Sequence, residues 1–157
     1  MSLKAGFLFL VSWVFLVPLQ VCSSAESPQG IPGIIFTAEE TAEMINEMRN
    51  PDITGPLWTP SIEQIRAFER DFVNYKQKDT NYQVRAKRSL ELYKRQYFGI
   101  TAQGKKVILV NFFCEQYWKF SDDWRRKVVV SRNYTGDCYF MVRYDPSTRE
   151  FFDLVFR

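Results

Sequence analysis

Two hydrophobic spacings divide the chain. Residues 138–156 alternate as strands do: Cys138, Phe140, Val142 and Tyr144 fall on one side, with Tyr139, Met141 and Arg143 on the other. Asp145-Pro146-Ser147-Thr148 then offers turn chemistry, the proline fixing φ and the aspartate accepting local backbone hydrogen bonds. The returning arm sets Phe152, Leu154 and Phe156 opposite Phe151, Asp153 and Val155. Period-two spacing around a turn predicts a β-hairpin. Residues 107–114 read as the most apolar strand, with Ile108, Val110, Phe112 and Cys114 on one face. A strand from Leu90 to near Thr101 precedes it across an Ala102-Gln103-Gly104 turn, and a shorter strand is predicted at residues 127–132.

Helical spacing comes earlier. Thr37-Ala38-Glu39-Glu40 has the form of a capping box, and Ala38, Ala42, Ile45 and Met48 make a thin stripe that ends before Pro51. Thr59 as N-cap with Pro60 at the first helical position opens a longer helix, in which Ile62, Ile65, Phe68, Phe72 and Tyr75 recur at intervals of three and four. Helices first and strands afterwards, joined by short turns, predict an α+β fold. The N-terminal helices are expected on one face of a four- to five-stranded antiparallel sheet.

The first 25 residues differ from the rest. Lys4, a 13-residue apolar run from Ala5 to Val17 and the small residues Ser23-Ser24-Ala25 compose a secretory signal peptide. An uncleaved leader acting as a membrane anchor is the alternative. Residues 26–36, rich in Pro and Gly, are expected to be a flexible linker, and residues 37–157 a single domain. Cleavage lowers the 21 basic residues to 20 by removing Lys4, against 18 acidic, for a net charge of about +2. That gives no bulk electrostatic reason for a nucleic-acid or anionic-membrane partner, so none is expected, nor stable membrane insertion after cleavage. Cleavage also removes Cys22, leaving Cys114 and Cys138 as one disulfide in an oxidising compartment. A strand at residues 127–132 would separate the two cysteine strands in a simple meander, so either the strands of Cys114 and Cys138 are direct neighbours, or strand ends converge, or the bond does not form; convergence at the ends is expected.

The chain has no histidine, which excludes histidine acid–base catalysis, His-assisted nucleophiles and the usual zinc ligands. No catalytic residue, metal or cofactor is assigned. Asp122, Asp123, Asp137, Asp145 and Asp153 read as turn and surface positions rather than a glycosidase pair or calcium site. The aromatic residues Tyr117, Trp118, Phe120 and Trp124 are candidates for contact with a partner, either a protein or a small molecule. Asn133-Tyr134-Thr135 is an N-glycosylation acceptor sequence, and Arg85-Ala86-Lys87-Arg88 has the form of a dibasic processing site.

The pattern Tyr93-Lys-Arg-Gln-Tyr-Phe-Gly99, then Gly104 to Cys114, then Gly136-Asp-Cys-Tyr-Phe140 resembles a group of small secreted proteins of uncharacterised function. The helix-then-sheet order is also similar to the cystatin-like fold, whose best-known members inhibit cysteine proteases. The chain carries no Gln-x-Val-x-Gly loop. The leading expectation is therefore a secreted, non-catalytic binding module. A cystatin-like cysteine-protease inhibitor and a small Asp/Glu-dependent hydrolase are the alternatives.

Overall fold

Strands β2 (Lys94–Ala102), β3 (Lys105–Phe113), β4 (Tyr139–Asp145) and β5 (Glu150–Phe156) lie side by side in chain order, each antiparallel to the next. A fifth, β1 (Gly33–Ile35), runs parallel to β2 at its outer edge, so the sheet of this α+β protein is mixed rather than wholly antiparallel. This is a computed structural model that describes residues 30–48, 52–80, 82, 88–118, 122–130 and 137–156. The expected signal peptide at residues 1–25, residues 85–87, Phe120 and Asn133 lie outside the described residues, and Trp118 is described through its backbone alone.

Part of the expected linker, residues 26–36, is strand: β1 lies within it. Gly33 suits the place: a Cβ there would stand 2.1 Å from the Arg95 carbonyl oxygen. Ile31 and Phe36 are buried on either side of the strand, an apolar burial that holds it against β2.

The two main helices cover opposite faces of the sheet, not one face. Helix α2 (Ile62–Lys78) sends Ile65, Phe68 and Phe72 against Tyr97, Val110, Phe112, Phe140 and Tyr144. Fully burying one such phenylalanine contributes roughly 2–3 kcal/mol. Its N-cap is Ser61 instead of Thr59, in a capping box with Gln64. Thr59 is used otherwise, its Oγ1 accepting from the Ala38 amide at 2.9 Å and so tying the starts of both helices together.

Helix α1 (Ala38–Met44), capped by Thr37 and Glu40 as the sequence predicts, lies over the other face. The buried positions are Thr41, Met44 and Met48, while Ala42 is exposed. Thr41 can be buried because its hydroxyl donates to the Thr37 carbonyl at 2.7 Å. Met44 and Met48 pack with Phe36, Phe98, Ile100 and Leu109.

The expected strand at residues 127–132 does not form over its described part, residues 127–130. Two amide side chains on the sheet face take the place of a partner strand. Gln96 Nε2 donates to the carbonyls of Trp124 at 2.6 Å and Lys127 at 2.7 Å, while its Oε1 accepts from the Val129 amide at 2.9 Å. Asn111 Nδ2 donates to the Val129 carbonyl at 2.7 Å. The segment is thus strapped across the face rather than inserted in the sheet. Similarly, Leu90–Leu92 is a 3-10 turn, and β2 begins only at Lys94.

With no strand between them, β3 and β4 are direct neighbours. Their register continues past Phe113 and Tyr139 to Cys114 and Cys138, whose Cα atoms are 5.1 Å apart and whose sulfurs are within bonding distance. Adjacency of strands, rather than convergence of separated ends, brings the pair together. The final hairpin departs from simple alternation at one point. Two residues of β5, Asp153 and Leu154, stand opposite Val142, so a β-bulge puts Phe151 on the same face as Leu154 and Phe156. Asp153 takes the extra position with φ 52°.

Candidate functional site

Three pieces of chain meet at the end of the sheet remote from Cys114 and Cys138. On α2, Asp71, Asn74, Tyr75 and Lys78 are spaced by three and four and share one side of the helix. The β2–β3 turn has positive φ at both Gln103 (50°) and Gly104 (76°), the backbone of a tight hairpin, and it delivers Lys105 and Lys106 to this end. The β4–β5 turn is built on Asp145, whose Oδ1 accepts from the Ser147 amide at 2.8 Å, the Ser147 hydroxyl at 2.6 Å and the Thr148 amide at 3.3 Å. Arg149 closes that turn with φ 61°, its amide donating to the Asp145 carbonyl at 2.8 Å.

Between these pieces lies a cleft of about 660 Å³, walled by Tyr75, Phe151 and Phe152 and rimmed by Asp71, Lys78, Lys105 and Arg149. A second compartment of about 400 Å³ continues it, lined by Trp58, Gln64, Lys106 and residues 146–148. Lys105 and Asp145 line both. The aromatic surfaces are held in place: Tyr75 stacks on Phe151 with centroids 4.6 Å apart. Trp58 donates its indole N–H to the Ile100 carbonyl at 2.8 Å. Trp58 can lie that close only because β2 has glycine beside it, since a Cβ on Gly99 would meet the Trp58 carbonyl oxygen at 1.9 Å.

The charges are unevenly spent. Asp71 accepts from Arg149 Nε at 2.9 Å, from Arg149 Nη2 and from the Tyr144 hydroxyl at 2.7 Å. The Arg149 hydrogen bonds, helped by Tyr144, outweigh partial burial and hold the Asp71 carboxyl below its ordinary range. Burial, followed by the hydrogen bond to Asp71, pushes the Tyr144 hydroxyl up to about 12. Partial burial works to raise Asp145, but the hydrogen bonds from Ser147 and Thr148 prevail and leave it below the ordinary value. Lys78, Lys105 and Lys106 have no carboxylate partner among the described residues. Lys106 lies instead over the Trp58 ring, 5.5 Å from its centroid.

Among the described residues weighed from the sequence as site candidates, only Asp145 enters this cleft. Tyr117, in the short helix α3 (Glu115–Trp118), and Trp124 lie at the opposite, cysteine end. Trp124 is 5% exposed, packed on Phe113 and capped by the Arg125 guanidinium, which leaves its indole little surface for a partner. Tyr117 is half-buried between Phe113 and Tyr139. The other aspartates are dispersed: Asp122 and Asp123 pair with Arg125 and Lys127, Asp137 with Arg88, and Asp153 with Arg143. The cleft residues that the sequence reading passed over are Asp71, Lys78, Lys105, Lys106 and Arg149. Their one sequence signal is the spacing of Asp71, Asn74, Tyr75 and Lys78. It marks one side of a helix without saying that two hairpin turns close on it.

Compared with protein-family models, with curated proteins and with solved structures, the chain matches none.

Proposed function

We propose that the protein is a secreted, non-catalytic binding module whose ligand site is the two-compartment cleft between α2 and the two hairpin turns. The observation that carries this reading is the cleft itself. It combines fixed aromatic walls with a few converging polar groups, in a volume suited to a small ligand or a chain end. Among the described residues, α2 covers one sheet face and α1 with the strapped segment covers the other.

A hydrolase would need a proton donor beside a second carboxylate. Asp71 and Asp145 are both held toward the ionised form and committed to internal hydrogen bonds. What supports a cystatin-like description is α2 lying across the four antiparallel strands β2 to β5. The inhibitor alternative finds no such support, since the chain carries no Gln-x-Val-x-Gly loop.

A fragment library screened by amide chemical shifts tests the proposal. Hits should move the resonances of Lys78, Gln103, Thr148 and Phe152. Hits that cluster instead on Tyr117 and Arg125 would transfer the site to the cysteine end.

A further inference from the structure

We infer that the cleft selects an anionic ligand with a planar apolar body, its acidic group, a phosphate, sulfate or carboxylate, seated at Lys105. The inference rests on the cleft being the binding site. It follows from which charges remain after the internal pairs are formed. Asp71 is occupied by Arg149 and Tyr144, and Asp145 by its own turn. Three ammonium groups stay uncommitted to any carboxylate among the described residues, at Lys78, Lys105 and Lys106, against two carboxylates, that of Glu150 and that of Asp145, whose turn donors are neutral and leave its charge in place. Lys105 lines both compartments, so an anion beside it is within the field of Lys106 on one side and Lys78 on the other. The flat surfaces adjoin this point: Tyr75 stacked on Phe151 in the larger compartment and Trp58 in the smaller. A neutral aromatic would use the walls and leave the ammoniums unanswered. A fully hydrated polyanion would do the reverse.

Titration of the full mature chain with 2-naphthyl phosphate and with 2-naphthol, followed by amide shifts, tests the inference. The phosphate is expected to bind in the cleft about tenfold or more tightly than the alcohol, as a charge-assisted contact implies. Its affinity should fall as salt is raised, while that of 2-naphthol stays level. Lys105→Gln should remove most of the difference between the two probes. Glu150→Gln should strengthen the phosphate alone. Both positions are exposed, so neither change threatens the fold. If 2-naphthol binds in the cleft as tightly as the phosphate, the ligand class is wrong although the site is right. If neither probe shifts cleft resonances, or both act elsewhere, the site assignment fails as well.

Discussion

Arg149 reaches from the β4–β5 turn to Asp71 on α2, 78 positions earlier in the chain, and binds it through two nitrogens, Nε at 2.9 Å and Nη2. The Tyr144 hydroxyl joins the same carboxylate from β4. One aspartate therefore fixes the hairpin end to the helix and sets the width of the cleft. Tyr144 is buried, and among the described residues Asp71 is the acceptor its hydroxyl finds.

Asp71→Asn keeps the shape of the side chain but weakens the fork, since an amide cannot accept through both arms. Amide exchange across residues 146–149 is expected to quicken, with β3 and β4 near Cys114 and Cys138 unchanged. Acid should act in the same direction. The folded Asp71 carboxyl sits below its ordinary value, so its stabilisation is complete above about pH 3.8 and is lost as pH falls through the folded value. Exchange in the turn that ignores both the substitution and the acid would contradict this role.

Gly99 should not tolerate a methyl group. A Cβ there would lie 1.9 Å from the Trp58 carbonyl oxygen, a backbone atom that cannot swing aside. Gly99→Ala is expected to cost about 3 kcal/mol, at the high end for overpacking, when measured by urea unfolding. Gly33→Ala, facing the Arg95 carbonyl at 2.1 Å, should behave alike.

Much of the fold is legible in the sequence because it is written in local patterns. The capping box at Thr37, the face of α2 with Ile65, Phe68 and Phe72, the Gln103-Gly104 turn and the alternation from Cys138 to Tyr144 all declare themselves within a few residues. What escapes depends on partners far along the chain. Val128 to Val130 looks like strand sequence, and only the distant Gln96 and Asn111 make it a strap. Phe151 changes face because of a bulge at Asp153, which its own sequence does not announce. The cleft is the extreme case: Lys105, Asp71 and Arg149 are ordinary surface residues until two hairpin turns and a helix bring them together.

Arg95 lies beneath α2 with its side chain 3% exposed, and its Nε is 3.0 Å from Glu69 Oε1. Removing the acid would leave a buried cation, so Glu69→Ala should destabilise by about 3 kcal/mol, whereas Glu69→Leu with Arg95→Met should recover most of that. Burial raises the Glu69 carboxyl in spite of Arg95 and the Tyr97 hydroxyl. The sign is then opposite to that of Asp71: the contribution of Glu69 is complete below about pH 4.5 and declines as pH rises through the folded value. A double variant less stable than Glu69→Ala would show that the pair holds the fold rather than tolerating its own burial.

At alkaline pH the tyrosines decide. Tyr144 is pushed up to about 12 by burial and by Asp71, and burial also raises Tyr75, Tyr93 and Tyr97 above the ordinary value of 10.0. A raised folded value means stability that is complete below about pH 10 and falls as pH climbs toward 12. Tyrosinate absorbance should therefore appear late and together with loss of far-ultraviolet circular dichroism. Early, noncooperative ionisation of all the tyrosines would contradict their packing.

Reducing the Cys114–Cys138 pair, 24 residues apart, should cost about 3–4 kcal/mol of stability by freeing the unfolded chain. The cleft lies at the far end of β3 and β4, so affinity for 2-naphthyl phosphate should persist in the reduced protein while it remains folded. Joint loss of binding and of the disulfide, with the fold intact, would place the site at the cysteine end.

Blocking one end of the molecule at a time tests the central claim most directly. Thr148 borders the smaller compartment, and Gln116 is exposed on α3 at the other end. Thr148→Cys and Gln116→Cys, each alkylated with a bulky maleimide and each confirmed folded, are titrated with 2-naphthyl phosphate. The account predicts that the adduct at position 148 abolishes binding and the adduct at position 116 leaves it unchanged. Binding that survives at 148 and vanishes at 116 would contradict it.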